Sequence, residues 1–71
     1  MNEIEYIYEN NLIGDALKLA NKVGNIYVAA RMIYRGMPQT SQNIEIARQA
    51  TEAYKRHDEE VFQDHLSMFD K

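Results

Sequence analysis

The sequence predicts an all-α fold. Three observations carry that prediction. The stretch from residue 39 to residue 71 holds no glycine and no proline, and Ala47, Ala50, Tyr54, His57, Val61, His65 and Met68 recur at steps of three or four. Ile26 to Tyr34 is apolar almost all round, as expected of a central helix. No second apolar run is available to pair with the one candidate strand, Ile4-Glu5-Tyr6-Ile7-Tyr8, whose residues otherwise favour sheets. The expected architecture is a small three- or four-helix bundle in one domain, residues 1–71, with a long C-terminal helix.

Asn2 followed by Glu5 resembles a capping box, and Ile4, Ile7 and Tyr8 then share a helical face. Asn10-Asn11 supplies a break and an N-cap for a second helix. Its inward face reads as Ile13, Ala16, Leu17, Ala20 and Val23, with Leu12 and Leu19 beside it. Gly24 stands where a helix-ending glycine is expected, and Asn25 can cap the central helix over 26–35. Gly36, Pro38, Thr40 and Ser41 end that helix and start the last.

The last segment poses a length problem. An unbroken helix over residues 42–69 would run about 42 Å at 1.5 Å per residue. A compact chain of this size has a radius of gyration of only about 11 Å. Two solutions are open. Lys55, Arg56 and His57 suit a helix C-terminus and Asp58 a new N-cap, with Glu59 and Glu60 in the following turn. Lys55–Glu59 and Arg56–Glu60 pairs equally suit a straight helix, and no glycine supplies a left-handed residue there. A bend near His57 closes a bundle; a straight helix needs another chain. With the bend the chain reads as two helical hairpins, since Ile26-Tyr27 and Ile33-Tyr34 are echoed by Val61-Phe62 and Met68-Phe69. The tetratricopeptide pattern is not met.

The totals narrow the function. A chain this short buries only about 60% of its unfolded surface, so its core alone gives marginal stability. Cysteine is absent, which excludes disulfides and thiolate metal sites. Regular helix packing, self-association or a partner must supply the rest. A 45% hydrophobic content argues against disorder, and no apolar run approaches a membrane span. The acidic N-terminus is unlike a signal peptide, so a cytoplasmic location is expected. The net charge of −3 is unevenly spread: −4 over residues 1–15, +5 over 16–56 and −4 over 57–71. Either the acidic ends fold back on the basic middle, or an acidic face awaits a basic partner.

No catalytic signature is present, and no cofactor or metal is expected. His57, Glu60 and Asp64 share one face of a continuous helix, but nothing matches a metal-ligand motif. Both histidines fall on the apolar stripe, which would make an interface there pH-sensitive. Ser41 and Ser67 are helix caps or surface residues, and Gly14, Gly24 and Gly36 form no phosphate loop. A helix-turn-helix reading puts the turn at Tyr34-Arg35-Gly36-Met37-Pro38 and offers Gln42, Asn43, Arg48 and Gln49 to bases. The acidic total and Gln42 at an expected aliphatic position argue against nucleic acid as the partner.

A protein partner, or a second copy of the chain, is the better expectation. Five tyrosines, two phenylalanines and four methionines exceed what so small a core hides. Tyr27 and Tyr34 are assigned to the core; Tyr6, Tyr8, Tyr54 and Phe69 are assigned to a contact surface, with Asp58, Glu59, Glu60 and Asp64 steering the partner. Gly24-Asn25-Ile26-Tyr27 and Val28-Ala29-Ala30-Arg31, followed by Ile46-Ala47, resemble the omega subunit of bacterial RNA polymerase. The likeness departs at Ile33-Tyr34, where that family has a basic helix end; it implies an accessory role in a transcription complex. Size and acidity also suit a regulator or inhibitor encoded by a phage or mobile element.

Overall fold

The computed structural model describes residues 2–69. Among them are five helices and no strand: α1 (Glu3–Glu9), α2 (Ile13–Val23), α3 (Ile26–Tyr34), α4 (Ser41–Lys55) and α5 (Glu59–Ser67). Asp70 and Lys71, which enter the charge count, lie outside the described residues. The radius of gyration is 11.3 Å and the longest extent 31 Å. A straight 42 Å rod does not fit in that length, and none forms. Of the two solutions the bend near His57 is the one that forms: the segment over 42–69 holds two helices, α4 and α5, so the count of three or four and the long C-terminal helix are corrected.

The break is at His57, whose φ is +59°. His57 N–H donates to the Tyr54 carbonyl at 3.1 Å, and Asp58 N–H to the Ala53 carbonyl at 2.9 Å. These two bonds are a Schellman motif, and histidine takes the left-handed place usually held by glycine. Asp58 then caps α5 by accepting from Val61 N–H at 3.2 Å. The break re-aims the stripe read from the sequence. Ala47, Ala50 and Ala53 of α4 are buried, but on α5 the core takes Phe62 and Leu66, with Phe69 beyond it. His57 and Met68 are exposed, and Val61 and His65 are half-buried.

The other junctions use the same device. Asn11 (φ +56°) follows α1, with Asn11 N–H on Tyr8 and Leu12 N–H on Ile7. Gly36 (φ +69°) follows α3, with its N–H on Ile33 and that of Met37 on Met32. Gly24 (φ +88°) closes α2 with a single bond to Ala20. Asn11 therefore ends α1 and does not cap α2, whose N-cap is Leu12. That seat turns Leu12 toward Ile7 and sets the inward face of α2 as Leu12, Ala16, Leu19 and Val23. Ile13 and Leu17, expected inside, are exposed.

At the other helix starts, side chains do the capping. Asn2 accepts from Glu5 N–H and donates to its carboxylate, both at 2.9 Å. Asn25 accepts from Tyr27 and Val28, and Thr40 from Asn43. α2 pairs with α3 and α4 with α5 as two hairpins, α4 lying against both members of the first; α1 packs chiefly on α3.

Six alanines (Ala16, Ala29, Ala30, Ala47, Ala50 and Ala53) are fully buried. Small residues let helices approach closely, and the end of α2 comes close to α4. A methyl group added at Gly24 would lie 3.3 Å from Thr51 Cγ2. Among the described residues no helix is long and apolar enough to cross a membrane.

Two substitutions probe this packing. Gly24→Ala places a β-carbon in a left-handed conformation and against Thr51, and should lower stability by about 1–2 kcal/mol in urea unfolding. Thr51 is buried and its Oγ1 has no hydrogen-bond partner among the described residues. Thr51→Val removes that unsatisfied hydroxyl and should raise stability by about 1 kcal/mol in the same assay.

Candidate binding cleft

The two hairpins part at one end of the molecule and leave an open cleft of about 280 Å³. It is lined by Glu3, Asn25, Tyr27, Arg31, Tyr54, Phe62 and Leu66. The Asn25 cap fixes the first turn of α3, and the spacing of four then puts Tyr27 and Arg31 on one face. Tyr54 lies in the last turn of α4, just before the break. Phe62 and Leu66, again four apart, come from α5 once Asp58 has started it. The far hairpin thus contributes to the cleft only because the chain reverses at His57.

Its lining joins aromatic rings to the Arg31–Glu3 ion pair. The Tyr54 and Phe62 rings are tilted at 51° with centroids 5.2 Å apart. Arg31 Nη1 donates to Glu3 Oε1 at 3.3 Å, with both side chains about three-quarters buried. That contact ties the acidic N-terminus to the basic middle, as one reading of the charge pattern anticipates. Tyr27 is 64% and Tyr54 52% exposed, so two large rings stand at the rim in water. The volume lies at the lower edge of small-ligand pockets, which begin at about 300 Å³. A space of this size suits one large apolar side chain with a polar group reaching Arg31 or Glu3.

Of the residues assigned to a contact surface, the structure brings Tyr54 into this cleft. Tyr8 is 69% exposed but outside the lining. Tyr6 is half-buried, its ring edge-on to Tyr34 with centroids 5.3 Å apart. Phe69 is buried in the core and offers nothing to a partner. Asp58 is occupied as the cap of α5. Glu59 accepts from Gln63 at 2.8 Å and shares the helical face of Phe62 and Leu66. Glu60 and Asp64 are exposed on the opposite side of α5.

Tyr27, Arg31, Glu3, Asn25, Phe62 and Leu66 were not among the assigned contact residues. Tyr27 carried a partial signal: its phenolic hydroxyl lets a tyrosine stand half in water, as residues at wet interfaces do. Phe62 and Leu66 carried none while the register of α5 was open.

The other candidate chemistries lose their geometry at the break. His57 stands outside α5 and no longer shares a face with Glu60 and Asp64, and no three ligating side chains gather among the described residues. His65 Nδ1 lies 2.8 Å from the Val61 carbonyl. The base-reading set is largely engaged at home: Arg48 Nε donates to the Lys22 carbonyl, Asn43 to the Pro38 carbonyl and Gln49 to Glu45. Residues 35–40 between α3 and α4 also exceed the 3–4-residue turn of a helix-turn-helix.

No family model, curated protein or solved structure matches the chain.

Proposed function

We propose that this protein is a non-enzymatic binding module that seats an apolar side chain of a protein partner in the cleft between its hairpins. The observation that carries the reading is the exposure of Tyr27 and Tyr54 at the rim of a cleft floored by Phe62 and Leu66. Exposed tyrosines cost a soluble protein surface apolarity, and tyrosine is a residue type that anchors protein interfaces when it becomes covered. Glu59, Glu60 and Asp64 give α5 an exposed acidic surface that would speed the approach of a basic partner without adding much affinity. Occupying a partner's surface in this way suits a small regulator or inhibitor working in the cytoplasm, where a cysteine-free chain is at home.

The DNA-reading alternative has less support, since Asn43, Arg48 and Gln49 already hold intramolecular bonds. The likeness of residues 24–47 to the omega subunit stays a short sequence fragment.

The test is affinity capture from the source cell with three baits: wild type, Tyr27→Ala and Tyr8→Ala. Both tyrosines are mostly exposed, so each variant should keep its fold and lose no more than about 0.5 kcal/mol of stability. Tyr27→Ala should cut capture by about tenfold or more, as loss of an interface anchor does, while Tyr8→Ala leaves it unchanged. No partner enriched by the wild type, or capture undiminished in Tyr27→Ala, contradicts the reading.

A further inference from the structure

The core is in two parts. The larger holds Leu19, Val23, Val28, Ala29, Met32, Ala47, Ala50, Ala53, Phe62, Leu66 and Phe69, with no residue from α1. The smaller is Ile7, Ala16 and Ala30, with Ile4, Leu12 and Ile33 against it. α1 therefore belongs to the second part alone. At seven residues it is far below the roughly 12–15 that an isolated helix needs in water, so it is helical only while docked. Its docking contacts include Ile4 and Ile7 on the cluster with Ala16 and Ala30, Tyr6 edge-on to Tyr34, and Glu3 on Arg31. The last of these is also a wall of the cleft.

We infer that α1 is a strap that opens on its own, without unfolding α2–α5, and that its opening uncovers the Arg31 end of the cleft. Releasing it removes Ile7 from the smaller cluster and Glu3 from the cleft, and leaves every buried residue of the larger cluster in place. Local openings of this kind occur where an element has its own small apolar contact set. In the closed state Glu3 occupies the position beside Arg31 that a carboxylate of a partner would take. That consequence for binding rests on the cleft being the binding site; the opening itself does not.

Hydrogen exchange of the full chain, followed amide by amide, tests both parts. The α1 reporters are the Asn10 and Leu12 amides, bonded to the Tyr6 and Ile7 carbonyls. The reference amides are Ala50 and Ala53, inside α4. In the wild type the reporters should exchange at least about tenfold faster than the references. Ile7→Ala should speed the reporters by about tenfold more and leave the references within about twofold. Glu3→Gln, which keeps the apolar contacts, should give the same pattern at about threefold. One common acceleration at all four amides, in either variant, overturns the strap. Modification of Arg31 by phenylglyoxal, read by mass spectrometry, should accelerate along with the reporters. Faster reporter exchange with unchanged Arg31 modification overturns the uncovering of the cleft, and leaves the capture test of the cleft standing by itself.

Discussion

The fold depends on one backbone constraint: a single left-handed residue at the end of each of the first four helices. Asn11, Gly24, Gly36 and His57 hold φ between +56° and +88°. Each stops its helix and satisfies carbonyls that the last turn would otherwise leave bare. Those at Gly24 and His57 also fold the chain back on itself, so that α3 pairs with α2 and α5 with α4. Two of the four are not glycine, and for an L-residue that conformation costs on the order of 1 kcal/mol. The surrounding packing must hold them there.

His57 has the most depending on it. Reversal at that residue lays α5 back along α4 and brings Phe62, Leu66 and Phe69 into the core. It also sets the Phe62 ring against Tyr54 and opens the cleft where the hairpins part. Without the reversal the larger core would lose its three bulkiest α5-side members, and the far half of the segment would need a second chain. A core built on six buried alanines has little other apolar volume to fall back on. The same economy accounts for α1, which adds a second, smaller cluster to a chain whose surface-to-volume ratio leaves it marginal.

Helix starts were legible in the sequence, because asparagine, threonine and aspartate caps act through their own side chains a few residues away. Asn2 and Asn25 cap as read, and Thr40 does so from the Thr40-Ser41 pair. Asp58 caps as one of its two open readings has it, and the cap expected from Asn10-Asn11 is not made. Helix ends were legible where glycine marks them, at Gly24 and Gly36. At Asn10-Asn11 a break is legible but its left-handed residue is not, and near His57 a bend and a straight helix read equally well, since the energy that holds a non-glycine residue left-handed comes from tertiary packing. The misread faces follow from those two junctions. Ile13 and Leu17 were placed inside α2 because the turn at Asn11 was not fixed, and the α5 stripe ran through Val61 and His65 because the helix was continued across His57. Apolarity alone places Tyr27 in the core, whereas α3 packs through Val28, Ala29, Ala30 and Met32 and leaves Tyr27 at the rim. The cleft was illegible as a site, because its walls come from α1, α3, α4 and α5 and meet only after both turns are made.

The central claim is that the chain reverses at a left-handed His57, and its sharpest test is the sign of one stability difference. Urea unfolding of His57→Gly and His57→Ala compares the two residues that respond most oppositely to a left-handed position and a helix interior. The account predicts that the glycine variant is the more stable by about 1 kcal/mol, because it alone adopts positive φ without strain. An alanine variant more stable than the glycine variant by about 1 kcal/mol, the difference expected inside a continuous helix, would contradict it.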